Sequence, residues 1–478
     1  MPISTKLDAP ARGWSARNAF YAFADKAIRL YPPSDLLTYS FSVSAEVALK
    51  HRIYIYVLLS LISTLAAGQP QYKVLHSFMG GQTGDGASPY GTLAIDAAGN
   101  LYGTTLLGGT NANAGTVFEV SPQVDGSWVE SVIYNFCSAA NCGDGQEPQA
   151  GLTIDSHGNL YGTTLAGGTN CPPNGTLGCG VVFELSPPQL PGGAWTENVL
   201  HNLCSVVSGQ NCLDGYNSLA RVKFDALGNL YGTTLYGGTG DGGRGEGSNG
   251  VVFELSPTSG GQWVSSVLYN FCPSGHGKFC TDGTEPRAGV TVDPAGNVYG
   301  TTSVGGATGS AGGGVVYKLS PGSNGWTQTI LYSFRPPYSS GATPLGEVRL
   351  DSQGNLYSTT STGGQGAGTV FQLNSSGQGR QFTFDGFDGG APSAGVLLDS
   401  TRRALFGTTA LVGAGNGGTV YEILGGHQST LYNFCSQSGC ADGGTPLAGL
   451  VEDASGNLYG TTNGGGINNQ GVVFEITP

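Results

Sequence analysis

The stretch "DAAGNLYGTT", residues 96–105, returns six more times along a chain of 478 residues. It reads DSHGNLYGTT from Asp155, DALGNLYGTT from Asp225, DPAGNVYGTT from Asp293, DSQGNLYSTT from Asp351, DSTRRALFGTT from Asp399 and DASGNLYGTT from Asp453. Its aromatic stands at positions 102, 161, 231, 299, 357, 406 and 459. Self-similarity at such spacing is the mark of a repeat architecture, and it sets the fold before any other feature does.

One full unit runs from Ala220 to Phe271 and contains four strand-like strings, RVKFD, NLYGTT, GVVFELSP and WVSSVLYNF. Each is rich in β-branched and aromatic residues and bounded by turn residues. The D-x-x-G-N link makes the first two strings a hairpin, since Asp caps its own turn and Gly takes positive φ. The phase of the repeat then decides between architectures. The repeat region opens on a fourth string, YKVLHSF, and the sequence ends on a third string, GVVFEITP. A ring explains this offset: the N-terminal strand (72–78) completes the last sheet beside the C-terminal strand (471–477), and no edge is left exposed. We therefore expect an all-β, seven-bladed β-propeller of four-stranded blades over residues 69–478. A β-solenoid is the alternative, but it has no use for the offset. With the first string innermost and the fourth outermost, the fourth-to-first loops and the second-to-third loops share one face.

Residues 1–68 are of another kind. Lys50-His51-Arg52 precede an apolar run at 53–67, followed by small residues near Ala67 and Gly68. Fifteen apolar residues are few for a membrane span and right for a signal-peptide core. A start near Val47 would account for the long leader, and no membrane span is expected in the mature form. Residues 69–478 hold 12 Lys+Arg and 28 Asp+Glu, a formal charge of −16. Such a field repels phosphate backbones, so nucleic acid is not an expected partner.

The ten cysteines fall into five close pairs: Cys137/Cys142, Cys171/Cys179, Cys204/Cys212, Cys272/Cys280 and Cys435/Cys440. Even counts in an exported chain read as disulfides, each closing a short loop worth roughly 2–3 kcal/mol. Zinc is the competing reading, but each loop offers two thiols where a structural site needs four ligands. All five pairs lie in the two loop classes of one face, which should be stapled while the other face is plain.

The combination of GNLYGTT, a GG loop, G-x-VFEL and LYNF over residues 72–478 resembles the GloVer tandem repeat of bacterial surface proteins. The D-x-x-G-N hairpin alone is similar to NHL-type propeller repeats. The resemblance implies a secreted or surface-displayed protein without a defined biochemical activity. Relatives often carry a C-terminal anchoring segment; here the sequence reaches Pro478 inside the last unit, so no such tail is expected.

Chemistry is harder to read. The fourth-to-first loops carry Asp-Gly at Asp85, Asp144, Asp214, Asp282, Asp388 and Asp442. One carboxylate per loop is too few for calcium, so these read as local Asx turns, and no metal is expected. The repeated Tyr102 and its equivalents read as packing between sheets, and His76 and His201 as half-buried strand residues in place of Tyr. There is no G-x-S-x-G, H-E-x-x-H or Walker loop, nothing is seen to break the repeat, and no cofactor is expected. Two neighbouring loops lack cysteines, and one of them, SFRPPYSSGATP (333–344), gains Arg335 and Tyr338. Arg and Tyr are favoured in binding hot spots, so these two are the candidate ligand-binding residues. The expectation is a monomeric secreted or cell-surface module that binds an extracellular glycan or protein. The alternatives are a propeller hydrolase or lyase acting on extracellular polysaccharide, and a purely structural surface component.

Overall fold

The computed structural model describes residues 69–169, 178–190, 192–209, 211–239, 249–273, 280–306, 312–399 and 401–478. The signal-peptide reading and Cys171 therefore lie outside the described residues. Gln69–Pro478 forms one compact unit. It is a seven-bladed β-propeller, with no α-helix among the described residues. Blade one comprises Ala94–Ile95, Leu101–Gly108, Thr116–Pro122 and Trp128–Asn135, from the axis outward. The other blades repeat this order. Blade seven runs Val451–Glu452, Leu458–Thr462 and Val472–Thr477, and its outermost strand is Gln71–Ser77 from the other end of the chain. Val74 pairs with Phe474 and Ser77 with Val472, antiparallel, which closes the ring as the repeat phase requires. The innermost strands are shorter than their sequence strings, with two or three residues each.

The recurring string is a single hydrogen-bonded device. One oxygen of Asp96 accepts the backbone N–H groups of Ala98 and Asn100 at 2.8 and 2.9 Å. The other accepts the Asn100 side-chain amide at 2.8 Å and the Tyr102 hydroxyl at 3.2 Å. The same bonds recur from Asp155, Asp225, Asp293, Asp351 and Asp453. They fix the turn, and they give a buried tyrosine its obligatory partner. Blade six departs. There Asp399 caps Thr401 and Arg402, and Arg402 reaches Glu452 and the carbonyl of Gly456 in blade seven.

The core lies between blades. The last aromatic of one outermost strand meets the third-strand aromatic of the next blade edge to face. Examples are Phe78–Phe118, Phe136–Phe183, Phe271–Tyr317, Phe334–Phe371, Phe384–Tyr421 and Phe434–Phe474, with centroids 5.1–5.5 Å apart. Leu203 takes the ring's place at the remaining seam, between blades two and three, where it is buried. Each aromatic pair adds about 0.5–1.5 kcal/mol beyond its area. Gly103 lies beneath such a ring: a Cβ there would sit 2.4 Å from Phe118 Cζ. The neighbouring Thr104 hydroxyl donates to the Ala150 carbonyl of the next blade at 2.8 Å. Thr163, Thr233, Thr359 and Thr408 do the same around the ring. The GTT string thus supplies clearance for an aromatic and a bond to the neighbouring blade.

The two loop classes do share a face. Gln146 bridges Ala166, Tyr216 bridges Tyr236, and Ala342 bridges Thr362, each joining a fourth-to-first loop to a second-to-third loop.

Candidate functional site: the central channel and the blade seams

On the stapled face the structure joins Cys137–Cys142, Cys204–Cys212, Cys272–Cys280 and Cys435–Cys440. Cys179 is buried beside Cys204 and Cys212. The Asp-Gly carboxylates are not the local Asx turns expected from sequence. Asp144 reaches back across its loop to the N–H groups of Ser138 and Ala139 and takes the Tyr134 hydroxyl at 2.9 Å. Asp442 does the same with Ser436, Gln437 and Tyr432. These side chains are buried. A buried carboxylate needs several donors, and the start of its own loop is the nearest supply.

Arg335 and Tyr338 also take on a structural meaning. The Tyr338 carbonyl accepts the N–H groups of Gly341 and Gly364 at 3.0 and 2.9 Å. The Cys142 carbonyl makes the corresponding bonds to Gly145 and Gly168. Tyr338 therefore stands where other loops place their second cysteine, half-buried and against Gly313. Arg335, in the place of the first cysteine, is exposed.

A different set of residues breaks the repeat, contrary to the sequence reading. Ahead of each innermost strand runs a four-residue segment, P-x-A-G in four of the blades, that lines the central channel, a cavity of about 210 Å³. Its last residue is Gly151, Gly289, Gly395 and Gly449 in four blades but Thr92, Arg221 and Glu347 in blades one, three and five. The backbones meet closely here. A Cβ on Gly289 would lie 2.8 Å from the Arg221 carbonyl, and one on Gly395 2.4 Å from that of Glu347. Side chains and glycines alternate because neighbouring blades cannot both carry bulk at this constriction.

Arg221 donates to Glu347 at 2.9 Å, and Arg349 lies 3.2 Å from the other oxygen of the same carboxylate. Burial alone would raise the Glu347 pKa, but Arg221, Arg349 and Lys223 outweigh it and hold the group at about 2. Lys223, two residues beyond Arg221, is pulled down by burial. Its ammonium has no hydrogen-bonding partner among the described residues. Arg287 also lines the channel and is paired to Glu285 at 3.0 Å. Three cations thus share one carboxylate, and the wall formed by blades three to five carries surplus positive charge inside an acidic protein. Alignment of the seven four-residue segments was the signal that would have found these residues.

A second set lies at the seams between outermost strands. At the closing seam His76 Nε2 is 3.2 Å from Asp85, and Glu130 of blade one faces both. At the next seam the corresponding residues are Tyr134, Asp144 and Glu197, and at the third His201, Asp214 and Ser265. Burial, then the charge of the neighbouring aspartate, raises both Glu130 and Glu197 to about 7. One oxygen of each is buried without a partner. Ser265, being smaller, lines a recess of about 440 Å³.

The sequence profile described as the Gloeobacter/Verrucomicrobia repeat matches residues 59–310 and 292–478. No curated protein matches. Among solved structures the chain is similar to PorZ, described as an essential bacterial surface component of the type-IX secretion system of Porphyromonas gingivalis. The identity is 12% and the TM-score 0.46, over 80% of this chain and 46% of that one. The chain therefore spans about half the length of PorZ. A protein of unknown function from Dyadobacter fermentans aligns at 13% identity and a TM-score of 0.40, over 85% of this chain and 97% of that one.

Proposed function

The chain belongs to the Gloeobacter/Verrucomicrobia repeat family, and we propose that this member is a binding module of the cell exterior that takes an acidic glycan at its central channel. The observation that carries this reading is the convergence of Arg221, Lys223 and Arg349 on a single carboxylate, at positions where other blades hold small or uncharged residues. Lys223 retains donors for an incoming carboxylate, and a guanidinium such as that of Arg349 is suited to planar anions. A cavity of this size admits one acidic sugar residue or chain end rather than a folded partner. Disulfides are compatible with an extracellular or cell-surface location. No helix among the described residues is long and apolar enough to cross a membrane.

A hydrolase or lyase reading of the channel finds less support. Acid–base catalysis works best with a group titrating near the working pH, whereas Glu347 is held at about 2 by its cationic neighbours. The test is a glycan array of acidic and neutral members, followed by affinities for Lys223→Met and Arg335→Ala. Loss of uronate-bearing ligands with Lys223→Met alone is the expected outcome. Loss with Arg335→Ala alone would move the site to the Arg335–Tyr338 corner of the stapled face.

A further inference from the structure

We infer that His76, Asp85 and Glu130 form a binding site for a divalent transition-metal ion of the zinc class, set at the seam where the N-terminal strand closes the ring. A ring nitrogen of His76 and one carboxylate oxygen each of Asp85 and Glu130 all lie within 4.8 Å of one another. His76 and Asp85 are already 3.2 Å apart. Ligand atoms at zinc's bond lengths of about 2.0–2.2 Å, arranged tetrahedrally, are separated by about that distance. Histidine nitrogen and carboxylate oxygen are both zinc ligands, and three protein ligands leave a fourth position for water.

Local bonding fixes two of the three ligands. Asp85 Oδ2 accepts the Met79 N–H at 2.8 Å and Oδ1 accepts the Gly86 N–H at 2.6 Å, which hold the carboxylate toward the seam. His76 packs edge to face on Phe78 at 4.8 Å. Glu130 supplies the independent sign of a missing partner: its Oε1 is buried and bonded to nothing. Two carboxylates held together in a low-dielectric seam favour neutralisation, by a proton or by a bound cation. A dication bridging the set provides it in one step and ties Gln71–Ser77 to blade one.

The repeat supplies comparators. The second seam keeps both carboxylates but has Tyr134 for the histidine; the third keeps His201 and Asp214 but has Ser265 for the glutamate. Among the described residues only the closing seam unites His, Asp and Glu. The other clusters of comparable geometry contain Cys204–Cys212 or Cys272–Cys280, whose thiols are already joined.

The experiment is calorimetric titration of the full, disulfide-oxidised chain with zinc chloride after chelator treatment. One ion per chain is expected. His76→Tyr and Glu130→Ser, which copy the neighbouring seams, should weaken uptake at least 100-fold and tenfold respectively. His201→Tyr and Glu197→Ser should leave it unchanged. A histidine-selective NMR spectrum of the unsubstituted chain provides a readout that does not depend on the variants folding. The His76 ring signals should move on zinc addition while those of His201 stay. Absence of uptake by the unsubstituted chain, equal uptake by His76→Tyr, or unmoved His76 signals would each overturn the assignment.

Discussion

Arg221 of blade three and Glu347 of blade five bond at 2.9 Å past the blade between them. Blade four makes this possible by carrying Gly289 at the level where they meet, with no room for a Cβ. The pair is therefore a tie between non-adjacent blades across the throat of the channel.

Replacing Glu347 with Gln should leave Arg221, Lys223 and Arg349 without their shared counter-charge. Breaking a buried pair from one side costs up to about 3–5 kcal/mol, and these side chains retain some exposure, so the lower end is expected. Denaturant titration at pH 7 measures it. The pH dependence has a defined sign. Because the folded-state carboxylate sits at about 2, below its unfolded value, its contribution is present above about pH 4.5. It is lost as pH falls from there toward 2, and the variant should lack that acid limb.

Glu130 and Glu197 should act in the opposite direction. Their folded values near 7 exceed the unfolded one, so their contribution is complete below about pH 4.5 and declines as pH rises to 7. In chelator, the double variant Glu130→Gln/Glu197→Gln should gain stability over the parent at pH 8 and little at pH 4. An equal gain at both values would contradict this.

Gly103→Ala should destabilise by about 1–3 kcal/mol, the usual cost of forcing an extra group into a packed core. The added carbon would lie 2.4 Å from Phe118 and 2.8 Å from Leu93. Blade five already has Ser358 at this position, its hydroxyl bonded to the Gly346 carbonyl, so Ser358→Ala should be tolerated sterically and lose only that bond. Thermal unfolding of the two variants side by side decides the matter.

Removing the Cys435–Cys440 link by a double serine substitution should cost about 2 kcal/mol in the chain-entropy account, since the loop it closes is short. Thiol titration of the denatured parent should find no reactive cysteine, in keeping with the absence of free cysteines among the described residues.

Sequence and structure agree where a residue acts within its own unit. The D-x-x-G-N-x-Y device is local in the chain, so its period and phase gave the blade number and the pairing of Val74 beside Phe474. The channel was missed because its charges sit in, or two residues ahead of, innermost strands of only two residues, too short to show periodicity. Arg221 and Glu347 resemble ordinary drift until the ring brings them together. The seam glutamates were missed for the same reason: Glu130 meets His76 only because strands from two blades lie side by side. Tyr338 drew notice for its type, and the backbone explains it as a stand-in for a cysteine.

The closing pair Val74–Phe474 joins positions 400 residues apart. A chain made from its N-terminus therefore produces Gln71–Ser77 before every other strand of the ring and must hold it unpaired until Val472–Thr477 emerges. Six blades can assemble in order as they appear, but the seventh waits until Val472–Thr477 has emerged. Contacts of such sequence separation are slow to form, so the last step of maturation is expected to be the capture of a waiting strand. Until then the nascent ring is an open arc with two adhesive ends, able to join a second arc as readily as itself.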